Sequence, residues 1–377
     1  MRDILDQIVK WWDSAETFGL ATVVRTFSSA PREPGAALAV ASDGAVVGSV
    51  SGGCVEGAVY ELSGAVSSTG QPVLQRYGIS DDTAFSVGLT CGGIIDIFVE
   101  PVSVHTFPEL GEIAAAVDAG QPVAVATVIA GPGTVGARRV IWGVDEGELR
   151  QSGTLASGDR LDQAIDDDAR GMLAQGLTGV RRYGPDGERR RDELSVFVQS
   201  FAPPPRMLVF GAIDFAAAVA RIGKFLGYRV TVCDARPVFA TASRFPEADE
   251  VITDWPHRFL TGVSTDERTV ICVLTHDPKF DVPVLEVALR RPAAYIGAMG
   301  SRRTHEDRLD RLREAGLSAD ELARLRSPVG LDLGARTPEE TAVAIAAELI
   351  QLRWGGSGQP LTVTDGRIHH RLGVRLA

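Results

Sequence analysis

The chain has 377 residues, enough for two or three domains that each bury a core. A net charge of −11 argues against general binding to nucleic acid or to an anionic membrane surface. Apolar runs stay short of the roughly 18 residues that cross a bilayer, and four cysteines are too few for a disulfide framework in a chain of this length. We therefore expect a cytoplasmic protein with no membrane span and no nucleic-acid partner.

Residues 1–201 predict a mixed α/β domain, which can also be divided into two subdomains, 1–102 and 103–201. The basic residues around Gly184-Pro-Asp-Gly187 are typical of a solvated hairpin tip. The predicted elements of this half are helices over 2–15, from 55 to about 70 and over 109–119, and strands at 19–26, 37–41, 45–50, 72–77, 94–100, 123–129, 138–142 and 195–201.

The stretch Gly48-Ser-Val-Ser-Gly-Gly-Cys-Val-Glu-Gly57 concentrates residues that can do chemistry. Gly52 and Gly53 form a small turn before Cys54, and a helical pattern begins at Val55. We expect the Cys54 thiol at the helix N-terminus, beside unpaired backbone N–H groups that favour the thiolate, which is both nucleophile and metal ligand. Glycines without Cβ atoms let a bulky ligand come close.

A second cluster, Gly88-Leu-Thr-Cys-Gly-Gly93, gives Cys91 and Gly92 a similar setting before a strand. The spacing of Cys54 and Cys91 matches no standard zinc pattern, and the sequence does not show that their two loops meet. Cys233 and Cys272 lie inside apolar strands, where cysteine behaves as a small hydrophobic residue.

Three prolines in residues 202–205 predict a stiff linker, and residues 206–377 predict a Rossmann-like, doubly wound parallel sheet. Thr337, Pro338 and Glu340 predict the N-cap, first position and capping box of the last long helix. The strands of this domain are predicted at 206–210, 229–233, 250–253, 269–275 and 293–298, with helices at 214–226, 282–290 and 302–314.

The first strand–helix turn of this domain departs from a dinucleotide fingerprint. Gly211 is the first glycine, but Ile213 stands where the second glycine would let the pyrophosphate approach, and Asp214 adds negative charge. Asp234, at the end of the second strand, stands where an acid would bind a ribose hydroxyl. The strand–turn–helix pattern therefore predicts the fold, whereas Ile213 and Asp214 do not favour a bound nucleotide.

Two further turns follow strand ends, where ligands bind in open α/β sheets. His276 and Asp277 could orient or protonate a ligand, or only cap the next helix. Ser301 is a candidate cap, and Arg302 with Arg303 could clamp an anion at that helix N-terminus.

Together these residues resemble the XdhC/CoxI family, the maturation factors of xanthine and carbon monoxide dehydrogenases. The resemblance covers most of the chain. It is carried by Ser29-Ala-Pro-Arg32, Pro34-Gly-Ala36, Gly48 to Glu56, Cys91-Gly-Gly93, Val232-Cys-Asp-Ala-Arg236, Thr275-His-Asp277, Tyr295-Ile-Gly297, Gly300-Ser-Arg302, Ser327-Pro-Val-Gly-Leu-Asp332 and Thr337-Pro-Glu-Glu340.

The resemblance implies an accessory protein, rather than an enzyme with its own turnover, that binds molybdenum cofactor as cargo. It implies protection of the cofactor during sulfuration by a cysteine desulfurase, and transfer to a molybdenum hydroxylase apoenzyme. Cys54 is the expected contact to the cofactor and its molybdenum, with Cys91 second. The candidate contacts are Gly52, Gly53, Cys54, Glu56, Cys91, Gly92, Gly211, Asp234, Arg236, Ser301 and Arg302.

One departure from the family and two rival functions remain open. The family usually shows Gly-Ala-Gly-His-Val at the Rossmann turn, whereas this chain has Gly211-Ala-Ile-Asp-Phe215, so the turn's ligand is in question. The rivals are an NAD(P)-dependent oxidoreductase and a degenerate paralogue that binds only a partner protein. A homodimer is expected because two-fold dimers are the commonest soluble assembly.

Overall fold

The computed structural model describes residues 1–27, 32–78, 93–143, 150–155, 158–189 and 191–365. The chain divides into two compact units, Met1–Pro203 and Pro204–Ala377. This division falls among the prolines of the segment predicted as the linker. In the described part of the chain, helices are too short or too polar to cross a membrane.

The first unit contains two antiparallel sheets of five strands each. Their strand orders are β3-β2-β1-β5-β4 and β8-β7-β6-β10-β9. The elements are α1 (Leu5–Asp13), β1 (Phe18–Phe27), β2 (Ala37–Val40), β3 (Val46–Gly48), α2 (Glu56–Thr69), β4 (Val73–Tyr77), β5 (Ile94–Val102), α3 (Leu110–Asp118), β6 (Val123–Ala130), β7 (Arg138–Trp142), β8 (Gln151–Gly153), α4 (Asp159–Gln175), β9 (Gly179–Tyr183) and β10 (Leu194–Phe201).

The two sheets repeat one chain path. Each half begins with a helix, then forms three strands, a second helix and two more strands, and the first and last strands pair at the centre. Gly48 and Gly153 hold equivalent positions at the ends of β3 and β8, both with positive φ. A Cβ on Gly48 would lie 2.2 Å from the Ala37 carbonyl oxygen, and one on Gly153 would lie 2.4 Å from that of Arg138. Only glycine fits either turn without strain.

Apolar layers hold this unit together. The largest buried cluster draws Phe18 and Leu20 from the first sheet, Val123 and Val125 from the second, and further side chains from α1 and α3. The other face of each sheet is covered by its own helix, α2 on the first sheet and α4 on the second. Burial on both faces explains why the central strands carry apolar residues at consecutive positions instead of strict alternation.

The predicted elements of this unit are confirmed with small shifts of their ends, but three elements were missed. These are β8, α4 and β9. The aspartate run Asp166-Asp-Asp168 hides α4 in a polar segment. Its apolar side chains nevertheless recur at helical spacing, and these residues are buried: Leu161, Ile165, Ala169, Met172 and Leu173.

The second unit is an α/β domain with a six-stranded parallel sheet of order β13-β12-β11-β14-β15-β16, which confirms the Rossmann-like prediction. Its elements are β11 (Arg206–Phe210), α5 (Asp214–Phe225), β12 (Arg229–Asp234), β13 (Glu250–Thr253), α6 (Pro256–Gly262), β14 (Val270–Val273), α7 (Pro278–Ala288), β15 (Tyr295–Ala298), α8 (Arg302–Glu314), α9 (Ala319–Ala323), β16 (Leu325–Arg326) and α10 (Pro338–Trp354).

Helix starts in this unit follow their capping residues. Thr337 and Glu340 form the predicted capping box of α10, and Ser301 caps α8 by accepting the Thr304 N–H. The predicted start of α7 at Val282 was wrong. The helix begins at Pro278, because the Asp277 carboxylate caps it and proline suits the first helical position.

Candidate functional site

The Cys54 loop, residues 49–55, connects β3 to α2. Within the loop, Val50 and Val55 are fully buried, whereas Gly52 and Gly53 are exposed and Cys54 is half-buried. The helix begins at Glu56, one residue after the predicted start. Two buried valines therefore anchor a loop whose glycines and thiol reach the surface.

Every backbone N–H from Ser51 to Val55 has an acceptor on the side chain of Ser49, Ser51 or Glu56. The Glu56 carboxylate accepts from the N–H groups of Ser51 (2.9 Å), Gly53 (2.8 Å) and Val55 (3.2 Å). The Ser51 hydroxyl oxygen accepts from Cys54 and Val55, both at 3.0 Å, and that of Ser49 accepts from Gly52 at 3.0 Å. The prediction of unpaired N–H groups beside Cys54 was therefore wrong.

The ionised Glu56 carboxylate is the centre of this arrangement. Partial burial would favour its neutral form, but hydrogen bonds from Ser51 and Ser49 outweigh burial and lower the pKa of Glu56 to about 2. A negative charge at the first position of α2 also suits the positive end of the helix dipole. Glu56 thus stabilises the loop itself, a role that the sequence did not reveal.

Gly52 and Gly53 present open space beside the thiol. Both have positive φ, at +75° and +119°, and a Cβ built on either would have no neighbour within 4 Å. The backbone N–H groups of the loop already have acceptors. The parts of the loop that a ligand can reach are therefore the half-buried Cys54 sulfur and the exposed surface of the two glycines. Cys91 and Gly92, the second predicted contact pair, lie outside the described residues.

In the second unit, Gly211 permits close contact between two strand ends. Its φ is +108°, and a Cβ there would lie 2.7 Å from the Thr275 methyl carbon and 3.1 Å from the Thr275 nitrogen. Ile213 is the N-cap of α5, and Asp214 is exposed on its first turn, 3.4 Å from Arg244. The helix N-terminus therefore carries a side-chain carboxylate of its own.

Asp234 is buried at the end of β12, and its carboxylate is already engaged. It accepts the Ala212 N–H at 2.7 Å, the Arg236 N–H at 2.9 Å, and two side-chain N–H groups of Arg236 at 2.9 and 2.8 Å. Burial alone would raise the pKa of Asp234, but Arg236 and the backbone donors hold it below its ordinary value. This clasp occupies the oxygens that a ribose would need.

The remaining predicted residues line the carboxyl edge of the parallel sheet. His276 is exposed, and Asp277 caps α7 and pairs with Lys279 at 3.0 Å. Hydrogen bonds from Lys279 lower the pKa of Asp277. Ser301 is committed to capping α8, and Arg302 beside it is exposed.

A buried ion pair braces this edge, and the sequence pattern did not single out its cation. Arg308 and Asp281 lie 2.8 Å apart, with side chains that are 3% and 4% exposed. Arg308 also donates to the Met299 carbonyl at 2.8 Å and to the Ser327 hydroxyl at 3.0 Å, while Asp281 accepts from the Thr275 hydroxyl. One guanidinium therefore ties α7 to the segments that follow β15 and β16. Helix α8 contains many charged residues, so the sequence pattern did not distinguish the buried Arg308 from its exposed neighbours.

Two cysteines belong to the core, as predicted. Cys233 and Cys272 are buried, and burial raises the pKa of both thiols to about 12. Within the described ranges, the histidine, cysteine and acidic side chains form no group of three or more that could hold a metal ion.

Comparison with known proteins assigns the chain to a family. The family description "XdhC Rossmann domain" matches residues 207–349, and "XdhC and CoxI family" matches residues 11–78 and 116–184. The last two stretches cover corresponding elements of the two halves of the first unit.

Relatives match over nearly the whole chain. A protein from Bacillus subtilis, named as a probable xanthine dehydrogenase subunit, is 28% identical, covering 89% of this chain and 92% of the relative. "Molybdenum cofactor insertion chaperone PaoD" from Escherichia coli is 28% identical, covering 93% and 88%. A crystal structure described as a xanthine dehydrogenase from Bacillus halodurans aligns with a TM-score of 0.64 at 25% identity, covering 96% and 97%. The chain belongs to the XdhC and CoxI family.

Proposed function

We propose that this protein is an insertion chaperone that binds molybdenum cofactor and delivers it to a molybdenum hydroxylase of the xanthine or CO dehydrogenase type. The observation that carries the proposal is the Cys54 loop, in which internal acceptors take every N–H from Ser51 to Val55. The loop presents a half-buried sulfur and an open glycine surface to a ligand. The family and the name of the Escherichia coli relative support the same cargo.

The chemistry of the loop suits this cargo. Thiolate sulfur is a soft ligand, and molybdenum in the cofactor is already held by sulfur, so Cys54 would be its contact on the protein. Glu56 would keep the loop in one conformation, which lowers the entropy cost of binding. Within this proposal Gly52 and Gly53 give the cargo room, and Cys91 with Gly92, which lie outside the described residues, are the second candidate contact.

The cellular setting completes the proposal. The cargo would be held in sulfurated form, with a cysteine desulfurase as one partner and the hydroxylase apoenzyme as the other. The protein would act in the cytoplasm as a homodimer and would have no turnover of its own. For the second unit, considered by itself, the candidate ligand contacts remain Gly211, Asp234, Arg236, Ser301 and Arg302.

The arrangement at Asp234 weighs against a nicotinamide-dependent oxidoreductase. An acid in that position would bind a ribose through its oxygens, but here Ala212 and Arg236 occupy them. Ile213 also projects a branched side chain where the fingerprint needs glycine. Calorimetry with NAD(H) and NADP(H) tests this rival, and micromolar affinity for either would revive it.

Anaerobic equilibrium binding of molybdenum cofactor tests the main proposal. Cys54→Ala should weaken binding by roughly tenfold or more, equivalent to about 1.4 kcal/mol. Ser68→Ala, at the far end of the same helix, is the matched control and should bind as wild type. Equal affinity of wild type and Cys54→Ala would exclude Cys54 as the contact. A hydroxylase that copurifies without any pterin would instead favour a degenerate partner-binding paralogue.

A further inference from the structure

An exposed aromatic ring, that of Trp255, lies at the carboxyl edge of the parallel sheet and belongs to none of the sequence motifs. Asp234 and Thr253 are paired residues at the ends of the neighbouring strands β12 and β13. Arg236 lies two residues after Asp234, and Trp255 lies two residues after Thr253. Both residues are therefore at the edge of the sheet where open α/β folds bind ligands.

Neighbouring rings fix the Trp255 side chain although 40% of the residue is exposed. The His257 ring lies 5.9 Å from it at an interplanar angle of 61°, and the Phe280 ring lies 5.3 Å from it at 49°. These tilted contacts are typical of well-packed aromatic groups. The indole is therefore held in place while part of its surface faces solvent, as a stacking platform requires.

Two exposed cations lie at the same edge of the sheet as this ring. The Lys279 ammonium lies 4.8 Å from the Phe280 ring centroid and 3.0 Å from the Asp277 carboxylate. The Arg236 guanidinium lies 4.5 Å from the Phe239 ring centroid, and the buried Asp234 holds it from below. The side chains of Lys279 and Arg236 are 61% and 44% exposed. Their carboxylate partners orient the positive groups without covering them, although they also reduce the net positive charge.

We propose that Trp255, Lys279 and Arg236 form a subsite for a planar nitrogen heterocycle that carries a phosphate, with the ring stacked on Trp255 and the phosphate near the two cations. This inference rests on the proposed function, in which the occupant is the phosphorylated pterin of the cargo. It adds Trp255 and Lys279, both in the second unit, to the proposed binding residues.

Calorimetry with neopterin monophosphate, which has neither molybdenum nor dithiolene sulfur, tests the subsite on the full-length protein. Trp255→Ala should weaken binding roughly tenfold to hundredfold, the range expected for one lost ring stack. Trp255→Phe should stay within roughly threefold of wild type, since it retains a ring face. The matched control is Trp354→Ala, because Trp354 is 42% exposed on the same unit and should leave affinity unchanged.

Further ligands and one further variant separate the two parts of the subsite. Lys279→Gln should weaken neopterin monophosphate severalfold but leave unphosphorylated neopterin unaffected, because only the phosphate meets the charge. Cys54→Ala should bind neopterin monophosphate as wild type does, so failure of the metal contact and failure of this subsite give different results.

Three results would overturn the inference. One is the absence of neopterin monophosphate binding to wild type, and another is equal loss in the Trp255→Ala and Trp354→Ala variants. The third is AMP binding as tightly as neopterin monophosphate with the same dependence on Trp255, which would assign the platform to nucleotides instead of the pterin.

Discussion

The two halves of the first unit follow the same chain path but carry different loops after their third strands. Seven residues separate Gly48 from Glu56 in the first half, and five separate Gly153 from Asp159 in the second. Both loops begin with the same glycine turn at positive φ, and each then has a fully buried residue, Val50 or Leu155. Only the first loop contains a cysteine and a pair of glycines.

The halves also stabilise these loops in different ways. Leu38, buried in β2, pairs with Gly48, and Arg139 pairs with Gly153 at the equivalent place in β7. Arg139 donates to both oxygens of Asp166, at 2.6 and 2.7 Å, and to the Gly153 carbonyl at 2.8 Å. The second half thus uses a shielded ion pair between strand and helix, where the first half uses apolar packing and the Glu56 hydrogen bonds.

The difference separates what the fold requires from what a ligand requires. The turn glycines occur in both halves because the chain path demands them. The Cys54 loop occurs in one half, and its hydrogen bonds come from residues within the loop and the first position of α2. Within the first unit, loss of structure should therefore follow from changes in either half, whereas loss of cargo binding without loss of structure should follow only from changes in the first half.

The largest effect on stability is expected in the second half. Asp166→Ala leaves the shielded Arg139 with Asp162 as its remaining acidic neighbour at 3.4 Å, and should lower the free energy of unfolding by about 3–5 kcal/mol. Urea denaturation measures it. Asp167→Ala is the control, because that carboxylate is 63% exposed and its loss should cost under about 1 kcal/mol. Equal stability of the two variants would contradict this account of the Arg139–Asp166 ion pair.

The next effect should be shared by both halves. Gly48→Ala and Gly153→Ala each place a Cβ against a backbone carbonyl at positive φ, and each should lower unfolding free energy by about 3 kcal/mol. Gly52→Ala also has positive φ but meets open space, so about 1 kcal/mol is expected. If Gly153→Ala were as mild as Gly52→Ala, the equivalence of the two turns would fail.

A smaller, pH-dependent effect should appear only in the first half. Glu56→Gln removes the charge that accepts three backbone N–H groups, at a cost of about 1–2 kcal/mol near neutral pH. Since folding lowers the pKa of Glu56 from 4.5 to about 2, its contribution is present above pH 4.5 and is lost as pH falls towards 2. Unfolding curves of both proteins between pH 6 and pH 2, on the order of one pH unit apart, should converge at the acid end. A constant difference would show that the charge is not responsible.

The smallest effect on stability should accompany a clear effect on binding. Cys54→Ser keeps a small polar side chain on a half-buried position, so unfolding free energy should change by less than about 0.5 kcal/mol. Molybdenum cofactor affinity should fall, because a hydroxyl is a poor soft ligand. Thermal unfolding and binding measured on one preparation make the comparison. Loss of both together would place Cys54 in the structure of the loop instead of its ligand surface.

Much of the fold was predictable because its signals are local. The alternation of strands and helices in the second unit and the capping box at Thr337 depend on residues a few positions apart. The equivalence of the two halves was not visible, because α4 hides its apolar stripe among aspartates. The predicted open helix N-terminus at Cys54 failed for a different reason. Glu56 reaches back onto the loop, and no spacing rule distinguishes that from a side chain facing solvent.

The sequence by itself determined that a parallel α/β unit follows a mixed one, and that Cys54 precedes a helix beside two glycines. These follow from periodicity, proline and glycine, which act on neighbouring residues. Tertiary structure decided which polar groups remain for a ligand. Arg308 meets Asp281 27 positions away, and Ala212 and Asp234 meet across two strands. Burial makes an unpaired polar group costly, so packing selects partners that lie far apart along the chain.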